Sequence, residues 1–171
     1  MTAELTTDQV ALYLESSCAL IEAELKALGD DAAWHHAPGE WCAREVVGHL
    51  CEAEKRGFAG RIRIILEHDH PKLEAWDQDE VEKQRNDCAR VTDSLWMEFM
   101  GLRHASVELV KRLTPADLDR GGLHPKVGEL KVRGLLHEWI SHDRNHTKQL
   151  LSIAMERVWP HMANSQKFKG E

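Results

Sequence analysis

The chain lacks any apolar run long enough to cross a bilayer, and it lacks a cationic, apolar leader at its N-terminus. A spanning helix needs about 20 consecutive apolar residues, and a secretory leader pairs basic residues with an apolar stretch. The first residues, MTAELTTDQV, are polar and acidic instead. These absences predict a soluble, cytoplasmic protein with no membrane partner.

Basic charge is also in short supply. The chain has 22 Lys and Arg residues against 29 Asp and Glu residues, for a formal net charge of −7, and the acidic residues are scattered along it. Nucleic-acid-binding proteins present a positive patch or stripe to the phosphate backbone. The balance of charge therefore predicts no nucleic-acid partner.

Paired cysteines are missing as well. The four cysteines, Cys18, Cys42, Cys51 and Cys88, include no C-x-x-C pair. Such spacing matches neither a disulfide framework nor a zinc ribbon. We interpret them as small, mostly buried apolar residues.

Four segments repeat apolar residues at spacings of three and four, which is typical of helices with one buried face. A length of 171 residues and 42% hydrophobic content suit one core, so we predict a single domain over 1–171, with 160–171 as a C-terminal tail. The predicted helices cover about 7–28, the stretch from after Trp41 to about 66, 93–113 and 132–158. Together they predict an all-α four-helix bundle.

Cap residues and connections refine this prediction. Thr6 or Thr7 is expected to cap the first helix and Gly29 to end it, while Thr92-Asp93 is expected to cap the third. The second helix should be continuous, with Ile64 and Ile65 beside its buried stripe. Two long connections, 67–90 and 114–131, should cross an end of the bundle and frame a pocket. No alternating pattern predicts a strand.

Three of the eleven histidines fall where an aliphatic side chain is expected. His142 and His146 lie four apart on the apolar stripe of the last helix, so they occupy adjacent turns of one face. His49 lies on the stripe of the second helix. Because a buried, unpaired polar nitrogen costs about 1–3 kcal/mol, a shared divalent cation would relieve all three residues together.

Each histidine alone could be an ordinary core residue that bonds a carbonyl or carboxylate, but the three together favour a metal site. A donor set made only of nitrogen favours one zinc or nickel ion, with iron(II) as a further candidate, over magnesium or calcium. The remaining histidines are expected to be solvated rather than to bind metal: His35, His36, His68, His70, His104, His124, His137 and His161.

Acidic neighbours of the three histidines are candidates for orienting a ligand or moving a proton. Glu45 and Glu52 share a face with His49, and Glu138 lies one turn before His142. The alternative is that Glu45 and Glu138 only support their helices by pairing with basic neighbours or solvent. Trp76 is a candidate pocket wall, and Gln149 could orient a substrate or merely pack.

Three stretches, PGEWCAREVVGHLCEAE, WDQDE and GELKVRGLLHEWISHDRNHTKQL, give the chain a resemblance to the DinB-like (DinB/YfiT) superfamily of four-helix bundles. The resemblance covers nearly the whole chain in order. It implies one divalent metal held by His49, His142 and His146, which are the positions that periodicity selects independently. It also implies a homodimer and, for some members, transfer reactions that use a low-molecular-weight thiol.

Three functional hypotheses follow. The first is a metal-dependent enzyme that hydrolyses a small molecule or transfers a thiol, because three histidines leave an open coordination position on the ion. The second is a non-catalytic, dimeric bundle in which the metal joins helices two and four. The third is a metal-free bundle whose inward histidines bind an organic acid.

Overall fold

The computed structural model describes residues 3–168, and seven α-helices lie within that range. They are α1 (Thr7–Leu28), α2 (Ala43–Glu52), α3 (Ala59–Glu67), α4 (Gln78–Arg85), α5 (Thr92–Lys111), α6 (Pro115–Asp119) and α7 (Val132–Val158). Helices α1 and α2 each pack against both α5 and α7. The predicted four-helix bundle is therefore confirmed.

Helices α1 and α7 begin and end where the sequence predicts. The Thr6 side chain accepts from the backbone N–H of Gln9 (3.2 Å), and the Gln9 side chain accepts from the Thr6 N–H (2.9 Å), which closes a capping box at the start of α1. Gly29 ends α1 with a φ of +55°. Helix α7 starts at Val132, and the Lys131 side chain before it forms no capping hydrogen bond.

The second helix is not continuous as predicted, because a π-helical turn at Ala53–Gly57 separates α2 from α3. The Phe58 N–H donates to the carbonyl of Ala53, five residues back (2.8 Å). A Cβ at Gly60 would lie 2.0 Å from the Lys55 carbonyl oxygen, so the turn requires glycine there. The extra residue rotates α3, which buries Ile65 and leaves Ile64 39% exposed, against the prediction for Ile64.

Both long connections contain structure that the sequence pattern does not predict. Helix α4 lies in the first, where the Asp77 side chain caps it by accepting from two backbone N–H groups. The second holds α6 and an antiparallel hairpin of β1 (Gly121–His124) and β2 (Gly128–Lys131), in which Gly121 pairs with Lys131. The prediction of no strand was wrong, because four-residue strands rich in glycine are too short to show an alternating pattern.

The two connections also meet each other. The Leu73 N–H donates to the Leu123 carbonyl (2.9 Å), and the Leu123 N–H donates to the Pro71 carbonyl (2.8 Å). Helix α5 begins at Thr92 after Val91, which offers no side-chain cap, so the capping prediction for Thr92-Asp93 was wrong. The Thr92 hydroxyl instead accepts from Arg44 (3.0 Å) and so ties α5 to α2.

The core consists of two apolar clusters, one containing Trp139 and the other containing Phe99. The buried guanidinium of Arg103 lies over both rings, 5.6 Å from the centroid of Trp139 and 5.0 Å from that of Phe99. It pairs with the buried carboxylates of Glu54 and Asp143. The ionic group of Glu54, Arg103 and Asp143 therefore connects the two halves of the core, although Nε of Arg103 has no hydrogen-bond partner among the described residues.

The chain beyond α7 forms 3-10 turns at Trp159–His161 and Ala163–Phe168. The predicted tail covers 160–171, of which 169–171 lie outside the described residues. Among residues 3–168, no helix combines the length and the apolar character that a membrane span requires.

Candidate metal centre

The fold brings His49, His142 and His146 together. His49 lies on α2, the other two lie one turn apart on α7, and these helices are in contact. One ring nitrogen from each histidine lies within 4.8 Å of the others, and the Nε2 atoms of His49 and His142 are 3.0 Å apart. The centroids of the three rings are 4.5–5.1 Å apart.

Burial keeps these imidazoles neutral. Together with a smaller contribution from the neighbouring His146, it lowers the pKa of His49 to about 4 and that of His142 to about 3. Burial lowers the pKa of His146 as well, although its hydrogen bond with Gln149 acts in the opposite direction. At neutral pH each ring therefore keeps a nitrogen lone pair, which a metal ion requires.

Gln149 determines which nitrogen of His146 is free. The Nδ1 atom of His146 lies 3.0 Å from Oε1 of Gln149, an oxygen that can only accept, so Nδ1 carries the proton. The lone pair then resides on Nε2. The sequence indicated that Gln149 would either orient a substrate or pack; the structure places it against a histidine of the cluster, which it orients.

Aromatic rings border the cluster. Trp76 stacks on His49 with ring centroids 5.8 Å apart, and Trp41 stacks on His146 at 6.2 Å. Phe58 meets His142 edge-on at 5.1 Å. A narrow pocket lined partly by Trp76 and Val81 reaches His49. The expectation for Trp76 as a pocket wall is confirmed, whereas the sequence did not single out Trp41, which lies outside the predicted helices.

The two acidic residues predicted to assist the site, Glu45 and Glu138, contact other groups than the three histidines. The Glu45 carboxylate accepts from the Cys42 N–H (2.8 Å) and lies 3.6 Å from Nδ1 of His35. Glu138 is exposed and interacts electrostatically with Arg61 and His124. Neither joins the three-histidine group, so their roles in orienting a ligand or moving a proton stay predictions.

Asp143, which directly follows His142, is fully buried and forms an ion pair with Arg103 on α5. The Thr147 hydroxyl donates to its backbone carbonyl (2.8 Å). Asp143 is therefore an interhelical partner and not a member of the three-histidine group. The segment that carries two of the histidines is thereby anchored to the core.

His124 corrects a further expectation. It lies in β1 and is only 8% exposed, with Nη2 of Arg61 3.3 Å from its Nε2. The sequence predicted a solvated side chain, because His124 lies outside the predicted helices. A hairpin that the sequence pattern does not show buries it.

The donor set fits a divalent ion with an open coordination position. Within residues 3–168, the group of ligand atoms around His49, His142 and His146 includes no carboxylate and no thiol. His142 and His146 are half-buried rather than sealed from solvent. Catalytic zinc sites typically have three protein ligands, and structural zinc sites have four.

A family model described as the DinB superfamily matches residues 13–150. A protein from Bacillus mycoides strain KBAB4, named "Putative metal-dependent hydrolase", is 26% identical over 121 residues, which cover 71% of this chain and 69% of the relative. A protein from Oceanobacillus iheyensis with the same designation is 21% identical over 121 residues, with the same shares of both chains.

The fold has a solved counterpart. YfiT from Bacillus subtilis, described as a probable metal-dependent hydrolase with an unusual four-helix bundle topology, superposes with a TM-score of 0.82. The alignment covers 93% of this chain and 91% of YfiT at 17% identity. At that identity the likeness concerns the fold.

Proposed function

We propose that this chain, which belongs to the DinB superfamily, is a metal-dependent enzyme. It hydrolyses a small molecule at a metal ion held by His49, His142 and His146. The observation that carries this proposal is the approach of three neutral imidazole nitrogens from two helices to within 4.8 Å of one another. The names of the relatives as metal-dependent hydrolases support the reaction class.

The energetics of burial support metal binding at this position. Each buried imidazole nitrogen without a partner costs about 1–3 kcal/mol, and Nδ1 of His142 has no hydrogen-bond partner among the described residues. When bound, a divalent cation supplies Lewis-acid chemistry that lowers the pKa of a coordinated water to about 7. Zinc or nickel is the proposed ion, with iron(II) as a further candidate.

The protein's own residues have separate roles in this proposal. His146 is fixed by Gln149, so its Nε2 is oriented before the ion arrives. The rings of Trp41 and Trp76 cover two histidines with apolar surface and so limit bulk water. The narrow pocket beside Trp76 borders His49 and has a volume of about 10 Å³, which is room for about one water molecule.

Elemental analysis of untagged protein tests the metal site. We expect close to one zinc or nickel equivalent at this site in the wild type and its loss in His142→Ala. His104→Ala, which changes an exposed histidine on α5, should keep the metal. Unchanged metal content in His142→Ala would refute the assignment of the site.

A substrate panel tests the reaction. Esters, amides and small electrophiles should be hydrolysed by metal-loaded wild type and not by His142→Ala. Thiol transfer, the other activity that the resemblance implies, would instead require an added low-molecular-weight thiol for turnover. Full metal occupancy without activity on any substrate would favour the alternative, in which the metal only joins α2 to α7.

The homodimer and the cytoplasmic location also belong to this proposal. Light scattering coupled to size-exclusion chromatography should give twice the mass of one chain. A mass of one chain at micromolar concentration would reject the dimer. The four cysteines are unpaired in the structure, which suits a reducing compartment.

A further inference from the structure

A second group of metal-ligand side chains lies apart from the three histidines. It consists of His35, Cys42, Glu45 and Cys88, each of which offers one ligand atom within 4.8 Å of the others. These residues come from three segments: the stretch after α1, the start of α2, and the 3-10 turn (Asp87–Ala89) that precedes α5. The sequence interpretation of Cys42 and Cys88 as apolar filler did not reveal this group, because 45 residues separate them.

We propose that His35, Cys42, Glu45 and Cys88 form a second metal site, which binds a thiophilic divalent ion such as zinc and has a structural role. Four protein ligands complete a tetrahedral shell, which is the mark of structural rather than catalytic zinc. Two sulfur ligands select zinc over magnesium and calcium. This site does not depend on the three-histidine centre.

The contacts of His35 orient it as a ligand. Its Nδ1 lies 2.8 Å from the carbonyl oxygen of Glu40, which can only accept, so Nδ1 carries the proton. Its Nε2 then holds the lone pair and lies 3.3 Å from Sγ of Cys88. A backbone carbonyl on the far nitrogen is the usual support for a histidine that binds zinc.

Two backbone contacts position the other ligands. The Cys42 N–H donates to Oε2 of Glu45 (2.8 Å) at the first turn of α2, which holds the carboxylate beside the thiol. The Cys88 thiol donates to the Ala33 carbonyl (3.4 Å). His35 and Glu45 are therefore held by backbone groups of their own segments, and Cys88 is held by the carbonyl of Ala33 from the segment that leads to His35.

The separations suit a small ion. Ligand atoms around tetrahedral zinc lie about 3.3–3.8 Å apart, given bond lengths of about 2.0–2.3 Å. The group needs side-chain shifts on the order of 1 Å to close on such an ion. The two thiolates balance the charge of the divalent cation, and the carboxylate leaves the occupied site with one net negative charge.

The site is open to solvent on one side. The His35 side chain is 44% exposed, whereas Cys42 is fully buried. A surface pocket lined partly by His35, Glu40 and Glu45 gives an ion access. Once bound, the ion would fix the segment that carries Trp41, the residue that stacks on His146.

Cobalt(II) titration tests the second site, because only a thiolate ligand gives intense sulfur-to-cobalt charge-transfer absorption in the near ultraviolet. We expect this absorption to saturate at one equivalent in His142→Ala and by two equivalents in the wild type, where the three-histidine site also takes up cobalt. Elemental analysis of zinc-loaded, desalted protein should then give two equivalents per chain. Absence of the charge-transfer band would overturn the proposal.

Serine variants identify the ligands with little risk to the fold. Serine is a good helix N-cap at position 42, and its hydroxyl can still donate to the Ala33 carbonyl at position 88. The double variant Cys42→Ser/Cys88→Ser should lose the band and one zinc equivalent, whereas Cys18→Ser, a thiol outside both groups, should keep both. Retention of the band in the double variant would refute the assignment.

Two comparisons separate this proposal from its rivals. His142→Ala should keep the charge-transfer band and lose the other equivalent, so failure at one centre does not imply failure at the other. Thiol titration of unreduced, denatured protein should find four free thiols after metal removal. If instead two thiols are missing until a reductant is added, Cys42 and Cys88 form a disulfide and the second metal site is rejected.

Discussion

At the scale of single residues, Gln149 shows how a side chain outside the three-histidine group can orient one of its members. Its Oε1 atom fixes the protonated nitrogen of His146 and, with it, the orientation of the ring. Removing such a partner commonly weakens metal binding by about 10–100-fold, because the ring loses its preferred tautomer and rotamer. The ligand itself remains in place.

We therefore expect Gln149→Ala to raise the zinc dissociation constant of the three-histidine site by about 10–100-fold. Competition with a chromogenic chelator measures this constant. Gln84→Ala on α4 is the matched control, because its amide hydrogen-bonds Glu80 on the protein surface. Equal dissociation constants for the two variants would show that Gln149 only packs.

The sequence located the three histidines because each interrupts a helical apolar stripe. Trp41 was beyond this reasoning, since it lies in irregular chain just before α2 and its contact with His146 depends on how α2 docks on α7. The same limit applies to Cys42 and Cys88. Periodicity describes one helix at a time and contains no information on which loops meet.

At the scale of elements, α2 is held close to the turn that follows α4. A Cβ on Gly48 would lie 1.7 Å from Oδ2 of Asp87, so the carboxylate packs directly on the helix backbone. Asp87 is fixed there by Arg85 (2.6 Å) and Arg90 (2.9 Å). Glycine in mid-helix, which is usually unfavourable, is required here by this approach.

Gly48→Ala should lower the free energy of unfolding by about 1–3 kcal/mol, because the new methyl group displaces a buried, ion-paired carboxylate. Gly101→Ala on α5 is the control: nothing lies within 4 Å of its Cβ, so the variant should gain about 0.5–1 kcal/mol from helix propensity. Urea denaturation measures both. A gain in stability for both variants would contradict the close packing of Asp87.

The long helices were predictable because each contains several turns of regular spacing, as α1 and α7 do. The π turn at Ala53–Gly57 was not, since it depends on a backbone approach at Gly60 that leaves no periodic signal. The hairpin was missed for a related reason. Its first strand forms backbone bonds through Leu123 to Pro71 and Leu73, residues far away in sequence.

At the scale of the whole molecule, Glu98 joins separate parts of the chain. Its carboxylate on α5 accepts from Lys55 in the π turn (2.7 Å), Arg85 on α4 (3.1 Å) and Arg90 (2.6 Å). Burial by itself raises the pKa of Glu98, but these hydrogen bonds outweigh it and lower the pKa to about 2. The folded state therefore holds the charged form more strongly than the unfolded chain does.

This difference makes stability depend on pH in a defined window. As the pH falls from 4.5, the ordinary pKa of a glutamate, towards 2, Glu98 is protonated in the unfolded chain but stays ionised in the folded protein. The free energy of unfolding therefore decreases over this range. Glu98→Gln should be less stable than wild type by about 1–2 kcal/mol at pH 7, after allowance for partial exposure. This deficit should shrink as the pH approaches 2.

Urea denaturation between pH 2 and pH 7 measures the effect. Glu108→Gln on the same helix is the control, because the Glu108 side chain is 43% exposed and its nearest basic partners are 3.8–4.0 Å away. It should differ little from wild type at any pH. A deficit of Glu98→Gln that stays constant across the window would mean that lost packing, not charge, explains it.

The π turn also constrains how the length of this chain can vary. Each residue advances a helix by about 100°, so deleting one residue between α2 and α3 would turn Ile62 and Ile65 out of the core and Ile64 towards it. The connection at 68–70 is exposed and not helical, so a change in its length does not rotate buried side chains in this way. Single-codon insertions and deletions should therefore accumulate among related genes in that connection and be eliminated by selection at 53–57.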